Sequence, residues 1–249
     1  MSTFDEAKRR AIAGDPGSAP PSCEACRGVP MEELAWMMFE AGMLCPDHAD
    51  AYRRWTADTR LRAVLPRRQW TTHPLPPPIE AFDLTTDLGV FAYGPAGRGK
   101  SNALAGMLKR AYVEHARRTG YPPDLRWWQV ADLMDELRDR VGSKRSVEEA
   151  LRPLYTCHRL VLDDLGAERS TAWALERITL LIGKRYDNCL PTDITSNFDL
   201  GQLAGHLTPT DDPESPAASR IVSRIAEVCV QVPFNGPDHR LTIARNRAK

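Results

Sequence analysis

The chain has 249 residues with 33 Lys+Arg against 33 Asp+Glu, so its net charge is zero. Hydrophobic residues make up 42% and charged residues 27%, which excludes disorder throughout and allows a real core. No apolar run approaches the roughly 18 residues that span a bilayer, and neutrality excludes a globally basic nucleic-acid coat while leaving room for a local basic track. The length predicts one full domain plus a smaller module, or two small domains. The N-terminal MSTFDEAKRRAIAG lacks the apolar stretch of a secretory signal, so the expected compartment is the cytoplasm, with no membrane partner.

Residues 14–22 (GDPGSAPPS) read as a loop, and behind it stand Cys23-x2-Cys26 and Cys45-x2-His48. In a reducing compartment such a cluster points to metal rather than disulfides, and three thiolates with one imidazole make a closed tetrahedral zinc set. A module of about sixty residues needs that extra folding energy. The alternative is three unrelated thiols and a surface His; a redox CxxC is disfavoured because no thioredoxin-like strand–helix context surrounds it. Between the pairs, Met31–Met43 reads as a helix apolar on most faces, explained by packing on the zinc site with a part left for a partner. The remaining cysteines, Cys157, Cys189 and Cys229, are scattered.

The Pro-rich stretch 72–78 (THPLPPP) is expected to be neither helix nor central strand. It divides the expected N-terminal module (1–70) from a larger domain (80–249), with 71–79 as linker; a strap packed along the larger domain is the other reading. Beyond it, apolar runs at Gly89–Tyr93, Leu125–Val130, Leu160–Leu162, Pro191–Thr195 and Val228–Val232 read as strands. Helical patterns occupy Lys100–Arg117, Ala131–Val141, Val147–Leu154, Thr171–Asn188 and Ser219–Val228. This alternation predicts an α/β fold with a parallel sheet covered on both faces.

Gly94-Pro95-Ala96-Gly97-Arg98-Gly99-Lys100-Ser101 matches GxxxxGK[ST], follows a strand and opens a helix. Glycines let backbone N–H groups turn in around phosphate oxygens, and the helix N-terminus adds positive potential. Lys100 is expected on the β- and γ-phosphates of ATP or ADP, with Ser101 on Mg²⁺ and Asn102 completing the nucleotide-binding run. The second half of such a site is Arg159-Leu-Val-Leu-Asp163-Asp164, which delivers two carboxylates to the carboxyl edge of the sheet. Asp163 is the expected magnesium partner, and Asp164 the residue that orients or deprotonates the attacking water. Without the phosphate loop, an Asp-rich surface turn would explain them equally well.

Four segments, GPAGRGKS, RLVLDDLGAE, LPTDITSNFD and SRIVSRIAEV, together resemble the DnaC/DnaI-type helicase loaders and their relative IstB, a transposition ATPase, over roughly residues 85–242. The resemblance implies an AAA+ P-loop domain with a five-stranded parallel sheet, ATP-dependent self-assembly, and a DnaB-type replicative helicase and single-stranded DNA as partners. It also implies that the N-terminal zinc module grips the helicase, and a phage or related replicon is the expected source. By the same resemblance Asn197 is the sensor that contacts the γ-phosphate or the water, and Arg224 is the finger that reaches a neighbouring subunit, with Arg220 as rival. Arg185 and Arg240 also match family positions. The alternatives are an IstB-like helper of a transposase and an adaptor in which nucleotide only controls binding.

Three departures from the family pattern stand out. Arg98 replaces a small hydroxyl residue, and Asp164 stands where AAA+ proteins commonly have Glu, so slow hydrolysis is expected. Asp193 interrupts an apolar strand without a physical account. With residues 233–249 after the last expected strand, no C-terminal helical lid is expected. Between the second and third strands, residues 131–155 form a helix–loop–helix insertion carrying Arg138, Arg140, Lys144 and Arg145. In the initiator/loader branch such an insertion touches single-stranded DNA; a solvated charged face, given Asp135, Glu136 and Asp139, explains it equally well. Trp127 and Trp128 are expected in the core.

Overall fold

A computed structural model of the protein describes residues 54, 56–70, 74–86, 88–141, 146–167, 171–210 and 212–239. Cys23, Cys26, Cys45 and His48, the Met31–Met43 helix, Lys144, Arg145 and Arg240 lie outside the described residues. The described residues fall into two compact units, one of 54–70 with 109–122, the other of 74–108 with 123–239.

The smaller unit is built on a helical run at 56–61, which buries Ala57 and Leu61, and on Ala111, Tyr112 and Ala116. Trp70 is its anchor: Nε1 donates to the Leu65 carbonyl at 3.3 Å, and the Arg62 and Arg67 guanidinium carbons each stand 5.4 Å from its ring centroid. Lys109 closes the unit by donating to the Trp70 carbonyl at 3.0 Å and pairing with Asp58 at 2.7 Å.

The larger unit is a sheet of five parallel strands: β1 (Gly89–Tyr93), β2 (Leu125–Gln129), β3 (Arg159–Asp163), β4 (Thr192–Ser196) and β5 (Cys229–Pro233), in the order β2-β3-β4-β1-β5. Helices connect them: α1 (Lys100–Thr119), α2 (Val130–Arg140), α3 (Val147–Thr156), α4 (Ala172–Asp187), α5 (Leu200–Leu207) and α6 (Ala217–Val228). The expected α/β fold and its five strands are therefore present. The crossover from β1 runs one way along the sheet and every later one runs back. Right-handed connections then put the start of α1 on one face and α2–α6 on the other. The direction reverses between β1 and β4, and at such a switch point the carboxyl edge opens a crevice for ligand.

The register sorts the core by face. Phe91, Leu162 and Ile194 are aligned across β1, β3 and β4 and join the cluster formed with α2–α6. Their alternating neighbours, Val90, Ala92 and Val161, are fully buried on the opposite face. Trp127 is buried and Trp128 packs against the cluster, as expected for core residues.

Three features depart from the sequence reading. Pro77–Glu80 forms a helical turn that begins inside the 72–78 stretch expected to exclude helix, because proline at the first helical positions has no N–H to leave unsatisfied. Helix α5 was not anticipated, although Asp199 accepts from the Gln202 N–H at 2.8 Å and Gln202 returns the bond to the Asp199 N–H at 3.3 Å, a capping box. Asp193 gains its physical account: it is wholly buried, accepts two bonds from Arg159 Nη1 at 2.8 and 3.1 Å, and accepts the Val90 N–H at 2.9 Å. Burial pushes its carboxyl up, against the pull of Arg159. Arg185 is equally buried and serves as a pin, donating to the carbonyls of Leu154 (2.6 Å), Cys157 (3.1 Å) and Pro191 (2.8 Å) and to the Thr192 hydroxyl (2.8 Å).

Candidate nucleotide site

The loop leaving β1 is glycine-rich for steric reasons that the structure makes plain. Gly94 has φ +131°, and a Cβ there would stand 2.6 Å from the Phe234 carbonyl oxygen; Gly97 has φ +78°. Both demand a residue without a side chain. Gly99 also has a positive φ, and its carbonyl accepts the Ala103 N–H at 2.9 Å, so the loop ends as α1 begins.

Lys100 is buried at the mouth of this loop. Its Nζ donates to the Gly94 carbonyl at 2.6 Å, the Pro95 carbonyl at 3.0 Å and Asn197 Oδ1 at 2.9 Å. Asn197 comes from the carboxyl end of β4, so the switch point brings these two side chains together. One residue on, the Ser101 hydroxyl donates to Asp163 Oδ1 at 2.7 Å. The same oxygen accepts the Thr195 hydroxyl at 2.6 Å. Burial pushes the Asp163 carboxyl up, while the bonds from Thr195 and Ser101 oppose the shift.

Asp164 sits just past β3 with φ +61°, a left-handed backbone that Asp tolerates better than most side chains. Its N–H donates to Thr195 Oγ1 at 2.8 Å, and the next N–H, of Leu165, donates to the Thr195 carbonyl at 2.8 Å. Thr195 thus fixes the positions of both carboxylate-bearing residues. The sequence reading missed it; a hydroxyl two residues before Asn197, on a strand beside β3, was the available signal.

The donor set fits a magnesium-bound nucleotide. A hydroxyl and a carboxylate oxygen within 2.7 Å of each other offer the hard oxygens that Mg²⁺ prefers, beside a buried ammonium and a loop shaped by glycine. Among the described residues no group of three or more His, Cys, Asp or Glu forms a further metal cluster.

Arg224 lies away from this constellation, on α6. Its Nη1 would be 2.7 Å from a Cβ on Gly183, and its guanidinium carbon is 5.4 Å from the Tyr186 ring centroid, both on α4. Tyr186 in turn donates to Glu227 at 2.9 Å. Arg220 is exposed. In the insertion, Arg138 pairs with Asp135 at 2.7 Å and Arg140 with Glu136 at 2.6 Å, so both of these cations are balanced on their own helix.

No protein-family model matches the chain. Over 156 residues it is 30% identical to the replicative helicase loader DnaI of Bacillus subtilis (strain 168), a match that takes in 61% of this chain and 47% of that one. The chain therefore spans about half the length of the curated relative it matches. Among solved structures it is similar to the DnaC helicase loader, with a TM-score of 0.53 and 24% identity, covering 68% of this chain and 100% of that one. It is also similar to DnaI, with a TM-score of 0.50 and 23% identity, covering 80% and 89%. At these identities the structures carry the fold. Fold and site together define a parallel α/β protein with a phosphate-binding loop. The resemblance to the DnaC/DnaI-type loaders holds in sequence through DnaI and in fold through both structures.

Proposed function

We propose that this chain is an ATPase that loads a DnaB-type replicative helicase onto single-stranded DNA. The observation that carries the reading is the joining of Lys100 to Asn197 and of Ser101 to Asp163 at one sheet edge, in a chain similar to a replicative helicase loader.

The bound Mg²⁺–ATP supplies an activated phosphoanhydride. Lys100, which now holds the Gly94 and Pro95 carbonyls and Asn197, would hold phosphate oxygens, with backbone N–H groups of residues 96–102 around them. Ser101 and Asp163 would hold the magnesium, which neutralises charge on the phosphates. Asp164 orients the attacking water with Asn197, and as the shorter carboxylate it makes for slow turnover. Arg224 acts on a neighbouring subunit's site, which ties turnover to assembly. Cys23, Cys26, Cys45 and His48 bind zinc and shape the module that grips the helicase, and residues 131–155 follow the DNA backbone.

The test is transfer of the helicase, from the same source as this chain, onto a circular single strand, with and without Mg²⁺–ATP. ATP-dependent transfer that is lost in Lys100→Ala supports the proposal. ATP-dependent filaments on DNA without helicase transfer would favour a transposition helper, and transfer without turnover would favour an adaptor.

A further inference from the structure

The chain that leaves β5 turns back over the phosphate loop. The Phe234 N–H donates to the Tyr93 carbonyl at 2.7 Å, and the His239 N–H donates to the Gly97 carbonyl at 3.0 Å. Between them the Arg98 guanidinium donates to the Gly236 carbonyl. Asp238 lies directly on the loop: a Cβ on Gly97 would meet its two carboxyl oxygens and carboxyl carbon at 2.4–2.5 Å. The His239 ring stands 3.5 Å from the place of a Cβ on Gly99. A carboxylate is thereby held against a loop whose backbone is shaped for anions.

We propose that Asn235–His239 is a strap over the phosphate loop, and that Asp238 opposes nucleotide binding there. The inference rests on the reading of the loop as a nucleotide site. Phosphate oxygens and the Asp238 carboxylate are like charges crowding one small backbone cradle, so each raises the free energy of the other. The strap is fastened by one bond donated from the loop, by Arg98, and one donated to it, by the His239 N–H, and the Arg98 bond uses the residue that departs from the family pattern. Linkage makes the effect reciprocal: whatever the strap takes from nucleotide affinity, bound nucleotide takes from strap closure. Nucleotide occupancy is in this way reported to the segment that follows β5.

Titration with Mg²⁺–ADP, which avoids turnover, tests the strap. Asp238→Asn keeps the side chain's size and removes its charge, and it binds about tenfold more tightly at low salt, with the gain shrinking as salt rises. In the unaltered chain the His239 amide is protected from hydrogen exchange by the Gly97 carbonyl and loses that protection at saturating Mg²⁺–ADP. Unchanged or weaker binding by Asp238→Asn, or a His239 amide still protected at saturation, overturns the strap while leaving the nucleotide site standing. If the unaltered chain binds Mg²⁺–ADP no better than Lys100→Ala, the nucleotide site and the strap fall together.

Discussion

Lys100 donates from Nζ to Oδ1 of Asn197 across 2.9 Å, a bond that joins the loop after β1 to the turn after β4. The two partners do different work, and their variants separate. Lys100→Ala abolishes measurable Mg²⁺–ATP binding, because it removes the buried ammonium around which the loop closes. Asn197→Ala binds nucleotide within a few-fold of the unaltered chain, yet its hydrolysis falls on the order of 100-fold, the usual cost of losing one preorganised polar group at a reacting centre. Calorimetric titration and a phosphate-release assay read the two effects; tight binding by Lys100→Ala would contradict the site.

Arg159 and Asp193 make a buried pair at the opposite end of the strands. Asp193→Ala leaves the Arg159 guanidinium buried without its carboxylate and costs about 3–5 kcal/mol in chemical denaturation. The change lies on the strands' amino-terminal side, so nucleotide affinity of the folded fraction is unaltered. A loss below about 1 kcal/mol would mean that Arg159 finds other partners.

Arg224 rests on Gly183 and beside Tyr186, and this seat needs a residue without a side chain at 183. Gly183→Ala leaves stability within about 1 kcal/mol, since alanine favours helix, but displaces the guanidinium. Turnover of the assembled protein falls at least tenfold in Gly183→Ala and about 1,000-fold in Arg224→Ala, as for other phosphoryl-transfer arginines. Arg220→Ala keeps its turnover. Reversal of the last two results would make Arg220 the finger.

Arg138 and Arg140 are already paired with Asp135 and Glu136, so they have little charge to offer DNA. Removing them leaves the salt dependence of single-strand binding as it was. Removing Lys144 and Arg145 lowers the slope by about one to two phosphate equivalents. A slope unchanged by the second pair would take the insertion out of the DNA interface.

The four metal-ligand candidates give a separate prediction. The intact chain carries one equivalent of zinc by elemental analysis, and Cys26→Ser loses it while the nucleotide affinity of the larger unit stays the same. Absence of zinc from the unaltered chain would remove the metal from the account.

Strands β1 and β3 and the loop and carboxylates they present were legible in the sequence because each has a local signature: an apolar run, then glycines or paired Asp. Asn197 was legible only through its resemblance to a family motif, and the fold supplied its partner, Lys100. What escaped reading is non-local. Asp193 looked like an interruption until Arg159, on the adjacent strand, appeared beside it. Thr195 offers in sequence only a hydroxyl two residues before Asn197, and its role shows in its bond to Asp163; Asp238 acquires meaning only because the chain after β5 turns back onto Gly97. Helix α5 was a different case, since its Asp199–Gln202 capping box was visible and its short length hid it.

The helicase-loading claim is tested most directly by the mass of the complex formed with the replicative helicase of the same source, measured by light scattering with and without Mg²⁺–ATP. A stoichiometric complex that Cys26→Ser no longer forms is the expected result. Helicase and chain scattering as separate species under both conditions would contradict it.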